Sequence, residues 1–371
     1  MRKIRILHLR SATGQGGGPE KTILNSPRYL DTRAFEMGII YLKKKDDRQF
    51  ALTEKATQMG LKHFFVVEEG SQFDRQAMTQ VKQLVQEWKA DVLHTHGYKS
   101  DWWGWLLRRQ IPGLKLVTTV HGWTVMQTLR ERFYYQAGKL PLYFFDFIIA
   151  VSPDIVEALR KIRVPARKME LIWNAIDTRE FVRELPPKQE GSLTIGYIGR
   201  LSREKRVEDL LRAFARLRDR RRFERLIVAG EGPLRQELEQ LARTLRVDDA
   251  VQFAGHVDPR WFFNRVDVFV NPSLKEGLPN TILEAMSMET LVIATQVGGV
   301  GWLVRNGETG LVIPTERPEA IRQALEQVGA NPSLRLRLVQ NARQFVAEHH
   351  DFSRRMRRVE AIYRRVVGEQ E

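Results

Sequence analysis

Cysteine is absent from this chain of 371 residues. A disulfide framework, a thiolate metal site and a cysteine nucleophile are therefore excluded. Long apolar runs are absent too: the longest, at 142–151, is interrupted by Asp146 and is far shorter than a bilayer-spanning helix. The first ten residues alternate charged and apolar side chains, which is typical of a strand and not of a signal peptide. We therefore expect a cytoplasmic protein, either free or peripheral on the inner face of the membrane.

Acidic residues are too few to balance the basic ones, with 45 Asp and Glu against 60 Lys and Arg and a formal net charge of +15. Such a surface attracts polyanions, phosphorylated substrates and anionic lipid headgroups. The sequence contains no recognised nucleic-acid-binding module, so we expect no nucleic-acid partner. Two interpretations of the excess charge remain open: a solvated basic surface, and a face that lies against an anionic membrane.

Short apolar segments alternate with amphipathic helical stretches along the whole chain. This alternation predicts an α/β protein whose parallel sheets are covered by helices on both faces. The predicted strands are 5–9, 37–42, 62–66, 92–94, 116–120, 147–151, 193–198, 225–229, 251–253, 268–270, 291–294 and 311–313.

The polar segment 183–191 contains two prolines followed by a glycine, which indicates a linker. We therefore predict two Rossmann-like domains, at 1–182 and 192–371, facing a central cleft where ligands of open parallel sheets bind. A final helix is expected to begin after Asp351 and to return to the first domain.

The segment 271–286, NPSLKEGLPNTILEAM, carries the strongest signal for a binding site. It follows an apolar strand, and Gly277 and Pro279 predict a tight loop before a helix. Backbone N–H groups at the start of that helix favour a bound diphosphate. Glu276 and Glu284 can both reach one ligand there and accept hydrogen bonds from sugar or ribose hydroxyls. In the alternative interpretation, Glu284 only complements the helix dipole.

With its Glu-x7-Glu spacing and the intervening GLPNT, this segment resembles the signature of retaining glycosyltransferases with the GT-B fold, family 4. The resemblance implies transfer of a sugar from a nucleoside-diphosphate sugar to an acceptor hydroxyl, with retention of anomeric configuration. It implies a catalytic role for Glu276. The donor-binding residues that it implies in this segment are Gly277, Leu278, Asn280, Thr281 and Glu284.

Further segments similar to those of the family occur in the expected order. In GRLSREK, at 199–205, the resemblance implies that Arg200 and Lys205 grip the donor diphosphate, and two fixed cations would stabilise the departing diphosphate. Alternatively, both are solvated surface cations. The remaining donor-binding residues implied by the resemblance are Gly199, then Gly230 and Glu231 in a loop near the nucleotide base, and Gly16 and Gly17 in a glycine-rich loop of the first domain.

Three histidines, His94, His96 and His121, stand at predicted strand ends. Residues i and i+2 of a strand project to the same side, so a zinc site is conceivable, but no nearby carboxylate pair or cysteine completes it and we predict no metal. The resemblance assigns His121 a catalytic contact with the transferred sugar. It places His96 along the cleft nearby, and His94 is interpreted as structural.

Aromatic residues of the first half are candidates for the acceptor side. Trp102, Trp103 and Trp105 could stack on sugar rings, or belong to the core, and Trp123 is a further acceptor-side candidate. A second aromatic cluster, at 133–135 and 143–145, has basic neighbours and could lie on an anionic membrane and meet a lipid-linked acceptor. Packing of these aromatics in the core is the alternative.

One segment departs from the family pattern, because Gly301 and Trp302 stand where proline and glutamate are usual. This tryptophan is expected either to close the pocket over the donor or to face the interior. No Asp-x-Asp sequence occurs in the chain, so a metal-dependent site of the other major glycosyltransferase fold is unsupported. No cofactor is expected, and UDP is favoured over GDP as the carrier of the sugar.

Three other functions remain as alternatives. A nucleotide-sugar epimerase would share the architecture, and a nucleotide- or polyanion-binding protein would need no transfer activity. A nicotinamide-dependent oxidoreductase would need a third glycine where Pro19 stands. The resemblance favours a glycosyltransferase of bacterial polysaccharide or glycolipid synthesis.

Overall fold

The computed structural model describes residues 2–14, 16–71, 74–121, 138–185, 188 and 191–369. The chain divides into two compact units, Met1–Asn174 with Ser353–Glu371, and Ala175–Phe352. The N-terminal segment of the first unit ends at Asn174, ahead of the proposed linker at 183–191. The C-terminal helix belongs to the first unit, as expected for a helix that returns to it.

Within the described residues, the first unit is built on one parallel sheet in the order β3-β2-β1-β4-β5-β6-β7. Its strands are β1 (Ile4–Ser11), β2 (Phe35–Lys44), β3 (Phe64–Glu69), β4 (Val92–Thr95), β5 (Lys115–Val120), β6 (Phe147–Ala150) and β7 (Met169–Leu171). All of them except β7 were predicted from the alternating apolar pattern. The short β7 is only half-buried, so it lacks the apolar run that marks the others.

The described part of the second unit has a parallel sheet in the order β10-β9-β8-β11-β12-β13. Its strands are β8 (Leu193–Ile198), β9 (Phe223–Ala229), β10 (Val251–Gly255), β11 (Val268–Asn271), β12 (Leu291–Thr295) and β13 (Leu311–Ile313). The predicted fold class, α/β with two Rossmann-like domains, is confirmed. Most residues of the central strands are buried, as expected where helices cover both faces of a parallel sheet.

The α-helices are α1 (Gly18–Asn25), α2 (Leu52–Gln58), α3 (Arg75–Glu87), α4 (Tyr98–Arg108), α5 (Pro153–Lys161), α6 (Val207–Ala215), α7 (Arg235–Thr244), α8 (Pro259–Phe263), α9 (Asn280–Ser287), α10 (Val300–Leu303), α11 (Pro318–Ala330), α12 (Pro332–His349) and α13 (Phe352–Val367). Short 3₁₀ segments include Leu140–Phe144 and Arg203–Lys205. In the described part of the chain, no helix is long and apolar enough to cross a membrane.

The two faces of the first sheet differ in chemistry near its centre. Leu7 and Leu9 of β1 point into a large apolar cluster on one face. His8 lies between them in sequence and therefore points to the opposite face. It is paired in register with His94 of β4, so the two buried imidazoles are neighbours on that face.

Candidate functional site

Four neighbouring strands of the second unit, β9-β8-β11-β12, carry the loops in which the sequence predicts a donor site. Gly199 follows β8, Gly230 follows β9, and Glu276 lies between β11 and α9. Because β8 pairs with both β9 and β11, the connections diverge on either side of it. Such a switch point at the carboxyl ends of parallel strands is where ligands of open sheets bind.

Lys205 and Glu276 form an ion pair at this edge. Lys205 Nζ donates to Glu276 Oε1 at 2.6 Å, and the two side chains are 22% and 12% exposed. Glu276 Oε1 also accepts from Ser273 Oγ at 2.7 Å and from Asn271 Nδ2 at 3.3 Å. Among the residues that the structure describes, none donates to Oε2 of Glu276. The carboxylate is therefore held through one oxygen and offers the other to a ligand.

Close backbone packing fixes the loop that carries Glu276. The N–H of Leu274 donates to the carbonyl of Glu204 at 2.8 Å, which joins this loop to the segment of Lys205. Gly298 has φ +47°, and a Cβ there would lie 2.0 Å from the carbonyl oxygen of Glu276. Only glycine fits at that distance.

The loops after β8 and β9 are packed in the same way. Gly230 has φ +125°, and a Cβ there would lie 1.9 Å from the carbonyl oxygen of Gly199. The N–H of Leu201 donates to the carbonyl of Glu231 at 2.9 Å. Arg200, between these contacts, is exposed with its backbone carbonyl held by a hydrogen bond from Tyr197. The predicted diphosphate-binding cation is thus free to meet solvent on a rigid backbone.

The start of α9 brings together the other residues predicted to bind the donor. Gly277 is exposed and Thr281 is partly exposed, whereas Leu278 and Asn280 are buried. Glu284 is buried, unlike Glu276, so the two predicted carboxylates do not have equal access to a ligand. Both interpretations of Glu284, as a donor-binding residue and as a complement to the helix dipole, stay predictions.

Trp302 lies in α10 and is 53% exposed. The interpretation that it faces the interior is therefore wrong. Its side chain adds exposed apolar surface to α10, the helix that follows Gly298.

The glycine-rich loop of the first unit is tied to a buried acidic residue. The N–H of Gly17 donates to Glu20 Oε2 at 2.7 Å, and Glu20 forms an ion pair with Arg10. Arg10 in turn donates to the carbonyl of His96 at 3.1 Å. Gly16 has φ +72°, a conformation that favours glycine. Neither Arg10 nor Glu20 was predicted, although both flank the loop in sequence.

A chain of hydrogen-bonded side chains crosses the interior of the first unit. His121 Nε2 is 3.0 Å from His96 Nδ1, and His96 Nε2 is 2.8 Å from His8 Nδ1. The rings of His8 and His96 have centroids 5.0 Å apart and planes 13° apart, and those of His96 and His121 have centroids 5.2 Å apart and planes 29° apart.

The chain continues to the C-terminal helix. The hydroxyl of Tyr363, in α13, is 3.4 Å from His8 Nε2 and 2.6 Å from His94 Nδ1. His94 Nε2 is 2.8 Å from Thr119 Oγ1. We call this set the histidine chain; its members are Thr119, His94, Tyr363, His8, His96 and His121. His8 and Tyr363 were not predicted, although the alternation of β1 places His8 opposite its apolar neighbours.

All four imidazoles of the histidine chain are neutral near pH 7. Burial lowers the pKa of His8 to about 3, and the nearby Arg355 cation adds to the effect. Burial also holds the pKa values of His94, His96 and His121 well below 6.5.

Nitrogens of His8, His94 and His96 come within 4.8 Å of one another, a grouping that could hold a metal ion. Three neutral imidazoles are a familiar zinc ligand set. Here, however, the ring nitrogens pair with each other, with Tyr363 and with Thr119. A bound metal would have to displace those hydrogen bonds, and the absence of a metal stays a prediction.

Two predicted acceptor-side residues are corrected by their burial. His96 is 3% exposed, with both ring nitrogens engaged in the histidine chain, so it has little surface for an acceptor. Trp103 is fully buried in the apolar cluster that lies under α4, so it cannot stack on a sugar. Trp102, one position earlier on the helix, is partly exposed, so stacking of Trp102 on a sugar stays a prediction. Trp123 lies outside the described residues.

Family models match both halves of the chain. Residues 16–180 match glycosyltransferase family 4, and residues 178–345 match glycosyl transferases group 1. Together the two matches extend over most of the chain. The alternatives of an epimerase and an oxidoreductase find no support in them.

Curated relatives point to the same class. The chain is 33% identical to an alpha-D-kanosaminyltransferase of Streptomyces kanamyceticus, over 46% of this chain and 45% of that protein. It is 38% identical to the lipopolysaccharide core biosynthesis glycosyltransferase LpsE of Rhizobium meliloti (strain 1021), over 54% of this chain and 58% of that protein. The matched regions thus span about half the length of each relative.

A solved structure, that of HepE from Anabaena in complex with UDP, resembles the whole fold. Its TM-score is 0.81, with 17% identity over 97% of this chain and 99% of that chain. At that identity the likeness shows the fold alone. The likeness thus shows the GT-B fold, and the two family matches show a glycosyltransferase with a family 4 first half and a group 1 second half.

Proposed function

We propose that this protein transfers a sugar from a nucleoside-diphosphate sugar to an acceptor hydroxyl with retention of configuration, and that UDP is the preferred carrier, ahead of GDP. The observation that carries the proposal is the Glu276 carboxylate. It is held through Oε1 by three donors, one of them Lys205, and its Oε2 faces no donor among the described residues. A fixed carboxylate oxygen of this kind suits a sugar hydroxyl, which can donate to it.

Charge on the leaving group is neutralised by protein cations in this proposal. Lys205 and Arg200 lie in one loop beside the start of α9, whose N–H groups add positive potential. Lys205 is held in place by Glu276 before the reaction, and such a cation stabilises a diphosphate that gains charge as it departs; the exposed Arg200 is in reach of solvent and adds to this charge. No metal is needed for this step, and no side-chain nucleophile is required if the departing phosphate assists removal of the acceptor proton.

Residues of the first unit act on the sugar and the acceptor. His121, partly exposed at the end of β5, contacts the transferred sugar, and Trp102 is retained as an acceptor-side residue. Because a lipopolysaccharide core enzyme is among the relatives, we propose an acceptor of bacterial envelope glycolipid or polysaccharide synthesis.

A patch of exposed apolar side chains supports a membrane-bound acceptor. Leu140 and Phe144, on a short 3₁₀ segment of the first unit, are 54% and 52% exposed. The Phe144 ring contacts Trp105, and the Arg109 guanidinium lies 5.2 Å from the Trp105 ring centroid. Apolar and aromatic side chains beside cations suit the interface of an anionic bilayer.

Turnover with a panel of donors tests the proposal. We expect release of UDP from one or more UDP-sugars in the presence of chelator, and a product whose anomeric configuration, read by proton NMR, matches that of the donor. Inverted product would contradict retention. Activity that chelator abolishes would contradict neutralisation by protein cations.

A further inference from the structure

One end of the histidine chain is His121, whose Nδ1 contacts no described residue. The other end is the buried hydroxyl of Thr119. Between them every link is a single hydrogen bond, and each link holds one proton. Each neutral imidazole carries one N–H and one bare nitrogen. All the protons must therefore point the same way along the chain, towards His121 or away from it.

The Thr119 end decides the direction. If the protons pointed away from His121, His94 would donate to Thr119, and the Thr119 hydroxyl would need an acceptor of its own. Thr119 is fully buried, and His94 Nε2 is the one partner of its Oγ1 within the described residues. A buried hydroxyl without an acceptor is costly, so Thr119 donates to His94.

We propose that the histidine chain runs from Thr119 towards His121, and that it fixes His121 as a neutral imidazole with its proton on Nδ1. In this direction His94 donates to Tyr363, Tyr363 donates to His8, His8 donates to His96, and His96 donates to His121 Nε2. His121 Nδ1, which contacts no described residue, is then a hydrogen-bond donor. It selects an acceptor oxygen, such as a sugar hydroxyl oxygen or a phosphate oxygen.

Tyr363 is thus a positioning residue that acts from the C-terminal helix through two histidines. The consequence for catalysis rests on the proposed function, in which His121 contacts the sugar. The protonation pattern itself does not rest on it, because it follows from the hydrogen bonds of the first unit alone. The two can therefore be tested apart.

The test uses the full-length protein with ¹⁵N-labelled histidine, and long-range ¹H–¹⁵N NMR near pH 7 distinguishes protonated from bare ring nitrogens. We expect His8, His94, His96 and His121 all to carry their proton on Nδ1. In Tyr363→Phe the chain is cut in the middle, and His121 is expected to become a mixture of tautomers. The matched control is Tyr41→Phe, since Tyr41 is a buried tyrosine whose hydroxyl makes no hydrogen bond in the described part of the chain. It should leave the His121 signals unchanged.

Kinetics supply the second readout. We expect Tyr363→Phe to lower the transfer rate of folded enzyme about tenfold, the equivalent of about one hydrogen bond, while Tyr41→Phe leaves it unchanged. A His121 proton on Nε2 in the unaltered protein, or an unchanged His121 signal in Tyr363→Phe, would overturn the inference. If no donor is turned over, the proposed function fails, and the NMR result still decides whether the chain sets the His121 proton.

Discussion

Among single residues, the proposed donor site depends most on a lysine and a glutamate that are only partly accessible to water. Lys205 and Glu276 are 2.6 Å apart, with Ser273 and Asn271 on the same carboxylate oxygen. We propose that Oε2 of Glu276 meets the donor, while the ion pair through Oε1 orders the loop.

Lys205→Ala and Glu276→Ala are expected to lower kcat/KM by about a hundredfold or more, because each removes a charged side chain that is held next to the reacting groups in the proposed site. The loss of unfolding free energy should be small, about 1 kcal/mol, since the pair is partly exposed. Steady-state turnover and thermal unfolding measure the two effects. Lys161→Ala is the matched control, because Lys161 pairs with Glu157 at 2.7 Å on an exposed helix. Normal turnover in either site variant would refute the assignment.

A buried aspartate makes a prediction about pH. Asp101 Oδ1 accepts from Thr95 at 2.5 Å and from Thr118 at 2.8 Å, and burial raises the pKa of Asp101 to about 7. The folded protein therefore holds this proton more tightly than the unfolded chain does. The contribution of Asp101 to stability is complete below about pH 4 and is lost as the pH rises towards 7.

Asp101→Asn removes that titration. The unfolding free energy of the variant, relative to that of the unaltered protein, is expected to rise by a few kcal/mol between about pH 4 and pH 7, as urea denaturation at several pH values can measure. In Asp74→Asn the same difference should stay constant above about pH 5, because hydrogen bonds from Gly70 and Ala77 lower the pKa of Asp74. If the difference in unfolding free energy for Asp101→Asn did not change between about pH 4 and pH 7, Asp101 would be ionised in the folded protein over that range.

At the scale of elements, the loops between strands and helices hold the site by direct backbone contact. Gly298→Ala would place a methyl group against the carbonyl of Glu276, so the Glu276 loop must move. We expect at least a tenfold loss of activity and a lower melting temperature. Gly307→Ala is the control, because Gly307 also has a positive φ, +74°, but nothing lies within 4 Å of the position that its added Cβ would occupy. Equal effects of the two substitutions would show that backbone strain, and not the contact with Glu276, matters.

The elements themselves could be predicted well from sequence, whereas the long-range side-chain partners could not. Strands such as β8 and β13 are apolar runs bounded by turn residues, so their limits follow from composition. The partnership of His8 with Tyr363 depends on the register of β1 with β4 and on where α13 packs, and neither is encoded locally. The same applies to Trp103, whose neighbour Trp102 is partly exposed: the helical face that meets the core decides between them. The Glu276 loop was recognised because its glycines, proline and carboxylates lie within one short segment.

At the scale of the whole molecule, the net charge of +15 and the apolar patch of the first unit predict binding to anionic membranes. We expect co-sedimentation with vesicles of anionic lipid that weakens with salt, because the basic residues are screened. Phe144→Ser should weaken the binding about tenfold. Leu185→Ser, which removes an apolar side chain of the second unit that is 67% exposed, should have little effect. Binding that is the same for neutral and anionic vesicles, or insensitive to Phe144→Ser, would contradict the membrane proposal.

We propose that the second unit binds a nucleoside diphosphate through Lys205, Arg200 and the start of α9 without a metal. The most direct test is a thermal-shift measurement with UDP, GDP, ADP and NAD in the presence of chelator, on the unaltered protein and on Lys205→Ala. We expect UDP to raise the melting temperature of the unaltered protein, since a ligand that binds the native state stabilises it, and we expect Lys205→Ala to abolish the shift. Stabilisation by NAD alone, or by none of the four, would contradict this proposal.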